Sequence, residues 1–235
     1  NRLVDFRLKK LYEEVALQQN IDQEYLDAIQ NNDSKTVLRL VKNQRQSKGF
    51  RDQLFSGSLA DRGNVYKRAE QNGIWLSRDE QTAREYSIDG GNQNGIIRNL
   101  SLSSKNSLDI RELGIQNNAD NVKRFLENKR VLLPDLYYQE FQKEMEREEQ
   151  DTWFCYAIID GRDFKQDRAL AIKQIERAGF DSLIIKDTHY GSQSDSYVAF
   201  KSNQVKLNKL VTVDDQSQII PLSKRFDQNN PDIRY

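Results

Sequence analysis

The chain of 235 residues carries 36 Lys and Arg against 36 Asp and Glu, so it has no overall field to hold a polyanion by counterion release or to grip an anionic membrane. One Cys and one His exclude a Cys/His zinc site, and no apolar run approaches the roughly 20 residues of a membrane span. The length fits one large domain, or one domain with a helical appendage, and is enough to bury a core.

Residues 1–48 have helical spacing, with Leu3, Phe6, Leu8, Leu11, Tyr12 and Val15 on one segment and Tyr25, Leu26, Ile29, Val37, Leu38, Leu40 and Val41 on two more. Asn31-Asn32-Asp33-Ser34 interrupts them, and Asp33 or Ser34 is the expected cap of the third helix. This predicts a small helical lead-in that packs as an appendage. A lid, a partner surface or a linker are its functional alternatives.

From Phe50 the texture changes to short apolar runs broken by Gly, Asn and Ser. Gln53-Leu54-Phe55, Gly73-Ile74-Trp75-Leu76, Ile96 to Leu100 and Ser107 to Ile110 read as strands. Residues 119–150 return to a helical pattern whose charged part, from Tyr137 to Gln150, reads as a solvated face. Trp153 to Ile159 is a buried strand holding Cys155, which has no disulfide partner and suits a reducing compartment. A helix over 167–178 stops at Gly179, followed by strands over Phe180 to Ile185, Ser196 to Phe200 and Gln204 to Leu207, then a polar tail with Pro221 and Pro231. Strands dominate the centre and helices do not alternate with them regularly, so the fold class is α+β, with residues 49–235 as one domain. No GxGxxG or Walker-type loop is present. No signal sequence is visible, and the chain begins at Asn1, as a fragment would.

Three segments share an order and spacing: Leu54-Phe55-Ser56-Gly57-Ser58, then Gly73-Ile74-Trp75-Leu76-Ser77 with Thr82-Ala83-Arg84-Glu85-Tyr86, then Asp195 to Phe200 with Asn203-Gln204-Val205-Lys206. Together with Gly179 to Lys186, and with a tail running from Ile220-Pro221-Leu222 through Phe226 to Pro231-Asp232-Ile233-Arg234-Tyr235, they resemble the ADP-ribosyltransferase-like domain of phage polyvalent proteins. A more distant similarity runs to poly(ADP-ribose) polymerases. The resemblance implies a split β-sandwich, two small sheets around an NAD cleft, in which nicotinamide leaves as the ribose becomes an oxocarbenium ion.

Carried over position by position, the resemblance implies an NAD-binding set of Ser56, Gly57, Ser58, Trp75, Ser77, Ala83, Tyr86, Tyr197 and Gln204, and no metal. Gly57 would let backbone amides approach the nicotinamide carboxamide. Tyr86 would stack on the ring, with Ala83 leaving it room. The polymerase pattern of histidine, tyrosine and glutamate is replaced by Ser56, Trp75 and Ser196, so the charge must come from another carboxylate: Asp187 first, Asp195 second. Read from spacing alone, Tyr86 and Trp75 are equally core residues, Gln204 a backbone partner at a strand start, and His189 a proton carrier for Asp187 or a solvated loop residue.

The implied activity is NAD-dependent mono-ADP-ribosylation of a macromolecule, a bacterial host protein first and a nucleic acid second, by a phage or mobile-element effector or toxin. It would act in the host cytoplasm, made there or delivered with phage DNA or by secretion, with no membrane partner. Substitution at all three signature positions motivates the alternative of a degenerate binding module. NAD hydrolysis alone is the third reading.

Overall fold

A computed structural model describes residues 2–59, 61–66, 73–88, 95–111, 113, 118–147, 168–186 and 194–235. The expected strand around Cys155 lies outside the described residues, as do Asp187 and His189.

The lead-in is two helices rather than three, α1 (Arg2–Gln30) and α2 (Ser34–Ser47). No Gly or Pro interrupts residues 2–30, so the first two expected segments run together. The break falls at Asn32, in the left-handed region at φ 55°, and Asp33 caps α2 by accepting from the Thr36 amide at 3.1 Å.

Seven strands follow: β1 (Arg51–Ser58), β2 (Ile74–Ser77), β3 (Ile96–Leu102), β4 (Ser107–Asp109), β5 (Ser182–Lys186), β6 (Asp195–Ala199) and β7 (Val205–Leu207). They pair in the order β4-β5-β6-β2-β1-β3-β7, with β4 and β5 parallel and the other neighbours antiparallel. This is the expected α+β class. The expected two small sheets are present as two halves of one sheet, β4-β5-β6-β2 and β1-β3-β7, joined through the single pair Phe55–Ser77.

Among the described residues, four helices attach to this sheet: α3 (Glu80–Ile88), α4 (Ala119–Asn128), α5 (Asp135–Arg147) and α6 (Arg168–Arg177). The helical stretch expected over 119–150 is divided where Arg130 takes φ 61° and Pro134 follows. α6 ends as expected, with Gly179 at φ 95° and the Phe180 amide returning to the Ile175 carbonyl at 3.2 Å. Apolar residues of α4, α5 and α6, among them Val122, Leu126, Tyr137, Ile172 and Ile175, pack on Leu183, Ile185, Val198 and Phe200 of one sheet face. Leu54, Leu76, Leu100, Tyr197 and Val205 form the core of the opposite face, which Ile233 of the tail closes.

The tail is polar in composition, yet it buries Thr212, Ile220, Leu222, Arg225, Phe226 and Ile233. Leu222 and Phe226 enter a third core with Tyr25, Val37, Leu40, Val41 and Phe50, so the lead-in helices and the tail share one interior. Arg225, 1% exposed, donates to the carbonyls of Lys209 and Leu210 and to the Tyr25 hydroxyl. Burial pushes its guanidinium down from its ordinary range. Lys206, also 1% exposed, donates to the carbonyls of Asn230 and Asp232. Desolvation lowers its ammonium to about 8, against the opposing pull of Asp227 and Asp232. The Leu210 carbonyl also accepts from the Tyr25 hydroxyl and the Asp232 carbonyl from the Tyr235 amide, so it is the Lys209 and Asn230 carbonyls that depend on these cations, at a cost of about 1–3 kcal/mol each if left unpaired.

Candidate active site

Among the described residues, the pair Phe55 of β1 and Ser77 of β2 joins the two sheet halves. Beyond it, Ser56, Gly57 and Ser58 pair with Arg98, Ile97 and Ile96 of β3, while Trp75 and Ile74 pair with Val198 and Ala199 of β6. The two strands therefore part, leaving a cleft with the Ser56–Ser58 segment on one lip and Ile74–Leu76 on the other.

Strand alternation decides which side chains serve which face. Trp75 packs toward the α4–α6 side, and Ser77 and Ser196, directly opposite each other, share that face with it. α3 covers the other half of the same face, resting on β1, β2 and β3. The approach of α3 is close: a Cβ at Gly57 would stand 1.7 Å from the Ala83 carbonyl oxygen, and one at Gly95 the same distance from that of Ser87. Ala83, Thr82 and Ser87 are buried in this contact. Tyr86, three residues beyond Ala83 on the helix, is half-buried. Gly57 and Ala83 thus have a packing reason of their own, independent of any ligand.

The start of α3 is tied to the end of β2. Asp79 accepts from the amides of Gln81 and Thr82 and from the Thr82 hydroxyl, and the hydroxyl bond leads in holding its carboxyl below the usual range. Ser77 Oγ accepts from the Asp79 amide at 3.1 Å and lies 3.1 Å from Ser194 Oγ. Ser77 is therefore a structural hinge of the cleft floor. Asp79 is a capping residue that sequence reasoning passed over, although Asp79-Glu80-Gln81-Thr82 before an amphipathic run is a readable N-terminus.

Several expected site residues are not brought to this face. Ser56, Ser58 and Tyr197 alternate with Leu54, Leu76 and Ala199 toward the opposite core, and all three are buried. Asp195 shares their side of β6 and is already engaged: Arg111 Nη1 bonds its Oδ2 at 2.8 Å while the same guanidinium grips Asp109 through Nε and Nη2. That hydrogen bonding from Arg111 holds the Asp109 carboxyl below its usual range and raises the Arg111 guanidinium above its own. Gln204 takes the backbone-partner reading the sequence left open. Its Oε1 accepts from the amides of Phe200 and Lys201 at 2.9 and 2.8 Å, and its Nε2 donates to the Asp181 carbonyl at 2.8 Å, so the amide closes the β6–β7 turn.

Arg98 was missed by sequence reasoning. It lies across from Ser56, places its guanidinium 5.8 Å from the Tyr66 ring centroid, and pairs with Asp61. No local signal marks it, because the partners come from 32 and 37 residues away. A cavity of about 670 Å³ between α4 and α5, lined in part by Asn118, Lys123, Asp135, Tyr138 and Lys143, contains none of the sequence-predicted residues. Among the described residues, no cluster of three His, Cys, Asp or Glu could hold a metal, and no helix is long and apolar enough to cross a membrane.

A family model described as ADP-ribosyltransferase in polyvalent proteins matches residues 54–209, more than half of the chain. The match begins on β1 within the first lip of the cleft and runs past β7. No curated protein and no solved structure matches the chain.

Proposed function

The chain belongs to the ADP-ribosyltransferases of polyvalent proteins, and on that premise we propose that it binds NAD where β1 and β2 part and transfers a single ADP-ribose to a macromolecule. The carrying observation is the cleft itself. The two strands separate after one pair, with the Gly57 backbone on one lip, Trp75 on the other and the half-buried Tyr86 on the helix above. Two aromatic side chains flanking a backbone that carries no Cβ suit a flat amide-bearing ring such as nicotinamide. Loss of nicotinamide takes the bonding electrons with it and leaves positive charge on the ribose, which an acceptor nucleophile then attacks.

The charge must be offset by a carboxylate. Asp195 is occupied by Arg111 and shares a face with Tyr197 rather than with Trp75, which favours Asp187 for the role. Ser196, at the position where polymerases carry glutamate, has no charge to orient an acceptor ribose, so transfer ends after one unit. A bacterial host protein is the first acceptor class and a nucleic acid the second, with the host cytoplasm as the place of action for a phage or mobile-element effector.

Incubation with labelled NAD and bacterial lysate tests this. Label on a discrete macromolecule, retained by Asp195→Ala and lost by Asp187→Ala, is the expected result. Nicotinamide release without label on any macromolecule would establish NAD hydrolysis instead. A folded chain that releases no nicotinamide would be a binding module, the reading favoured by substitution at Ser56, Trp75 and Ser196.

A further inference from the structure

The 29 residues of α1 divide into a covered half and an uncovered one. Ile21, Tyr25, Ala28 and Ile29 pack into the core shared by α2 and the tail. Val4 and every residue from Phe6 to Asn20 are exposed. Seven of them are large and apolar, with Tyr12 at 73%, Phe6 at 68% and Leu11 at 56% exposure. A helix gains most of its stability by burying an apolar face, and among the described residues nothing covers this stretch.

Val4, Leu8, Leu11 and Val15 recur at alternating spacings of four and three, the seam of a two-heptad coiled coil. The line continues through the polar Gln18 and Asp22 to Tyr25 and Ile29 in the half already covered, so the apolar seam ends at Val15. Arg7 and Glu14 each stand one residue before a seam position, where coiled coils carry the charges that set orientation. Tyr12 lies at the seam's edge, and Phe6 and Leu17 lie off it.

We propose that this seam is a docking surface for the same seam of a second copy of the chain, running antiparallel. That arrangement sets Val4 against Val15 of the second copy and Leu8 against its Leu11, then repeats both layers by the two-fold axis. It also brings Arg7 beside Glu14 of the second copy, twice. A parallel pair would instead set Arg7 against Tyr12 and Glu14 against Gln19, with no opposite charges meeting. Within one helix Glu14 makes an exposed contact with Lys10 at 3.9 Å, a weak pairing that a second copy can replace. Two heptads bury little area, so the dimer is a weak, concentration-dependent one. None of the residues involved belongs to the cleft.

Sedimentation of the full 235-residue chain across a wide concentration range tests the proposal. The expected result is a reversible monomer–dimer equilibrium that Leu11→Lys abolishes. Arg7→Glu and Glu14→Arg alone should each weaken association about tenfold, and the double variant Arg7→Glu/Glu14→Arg should restore it. A chain that stays monomeric throughout, or associates unchanged with Leu11→Lys, would overturn the surface. Failure of the double variant to recover what each single change loses would overturn the antiparallel pairing. Circular dichroism of each variant separates loss of association from loss of helix.

Discussion

Helix α3 and the C-terminal tail are held to the rest of the molecule in different ways. α3 presses backbone against backbone at Gly57 and Gly95. The tail is held by Lys206 and at its root by Arg225, both almost fully buried and donating to main-chain carbonyls. The first solution leaves the neighbouring side chains Trp75 and Tyr86 half-exposed beside a gap in the sheet. The second uses its cationic donors on backbone acceptors and offers a ligand little. A contact sealed by polar groups is structural, and one closed by shape alone keeps surface for chemistry.

The largest effect that would break this contrast concerns catalysis. Asp187→Ala should lower transfer by about a hundred- to a thousandfold, the usual cost of removing one electrostatic stabiliser, while Asp195→Ala keeps most of it. A turnover assay on the two single variants decides between the carboxylates. In the tail contact, Arg225→Ala should cost about 3 kcal/mol in denaturant unfolding, since it leaves a cavity and takes the donor from the Lys209 carbonyl. An undiminished midpoint would show that the tail is not held by charge.

On the α3 face, Gly57→Ala must push the helix away from the Ala83 carbonyl and should cost about 2 kcal/mol of stability together with NAD binding. If binding were lost with stability intact, the glycine would serve the ligand more than the helix. Tyr86→Ala, half-exposed, should leave the unfolding midpoint near its original value and weaken NAD about tenfold, measured by calorimetry. A large loss of stability there would make Tyr86 a core residue.

The smallest effect is a pH dependence. Lys206 has a folded value of about 8, below its ordinary 10.5, so between those values the unfolded chain binds more protons. Stability from this group therefore rises as pH rises from about 8 to 10.5, by up to about 1.4 kcal/mol per unit. Lys206→Met should flatten that rise in unfolding curves taken across the window.

Much of the fold was legible because it rests on local pattern. The apolar alternation of Ile74 to Leu76 and of Ser182 to Ile185, the stop at Gly179 and the cap at Asp33 are set by residues within a few positions of one another. The three expected lead-in segments became two because a missing breaker is a weaker signal than a present one. The site was legible as motifs and not as geometry. Gly57 and Trp75 stand on the two strands that part, whereas Gln204 closes a turn and Asp195 answers to Arg111, 84 residues away. No window of sequence contains both partners of that ion pair.

The sequence by itself determined the α+β class and the order of the described strands along the chain, which follow from short-range spacing, and it carried the family in motifs that resemble it. Only the tertiary structure decided which face each strand residue serves, because a register shift of one residue reverses every side chain of a strand. It also decided which residues of a polar tail are interior. Composition records how many charges a segment carries, but Arg225 and Lys206 are buried by carbonyls that come from other parts of the chain.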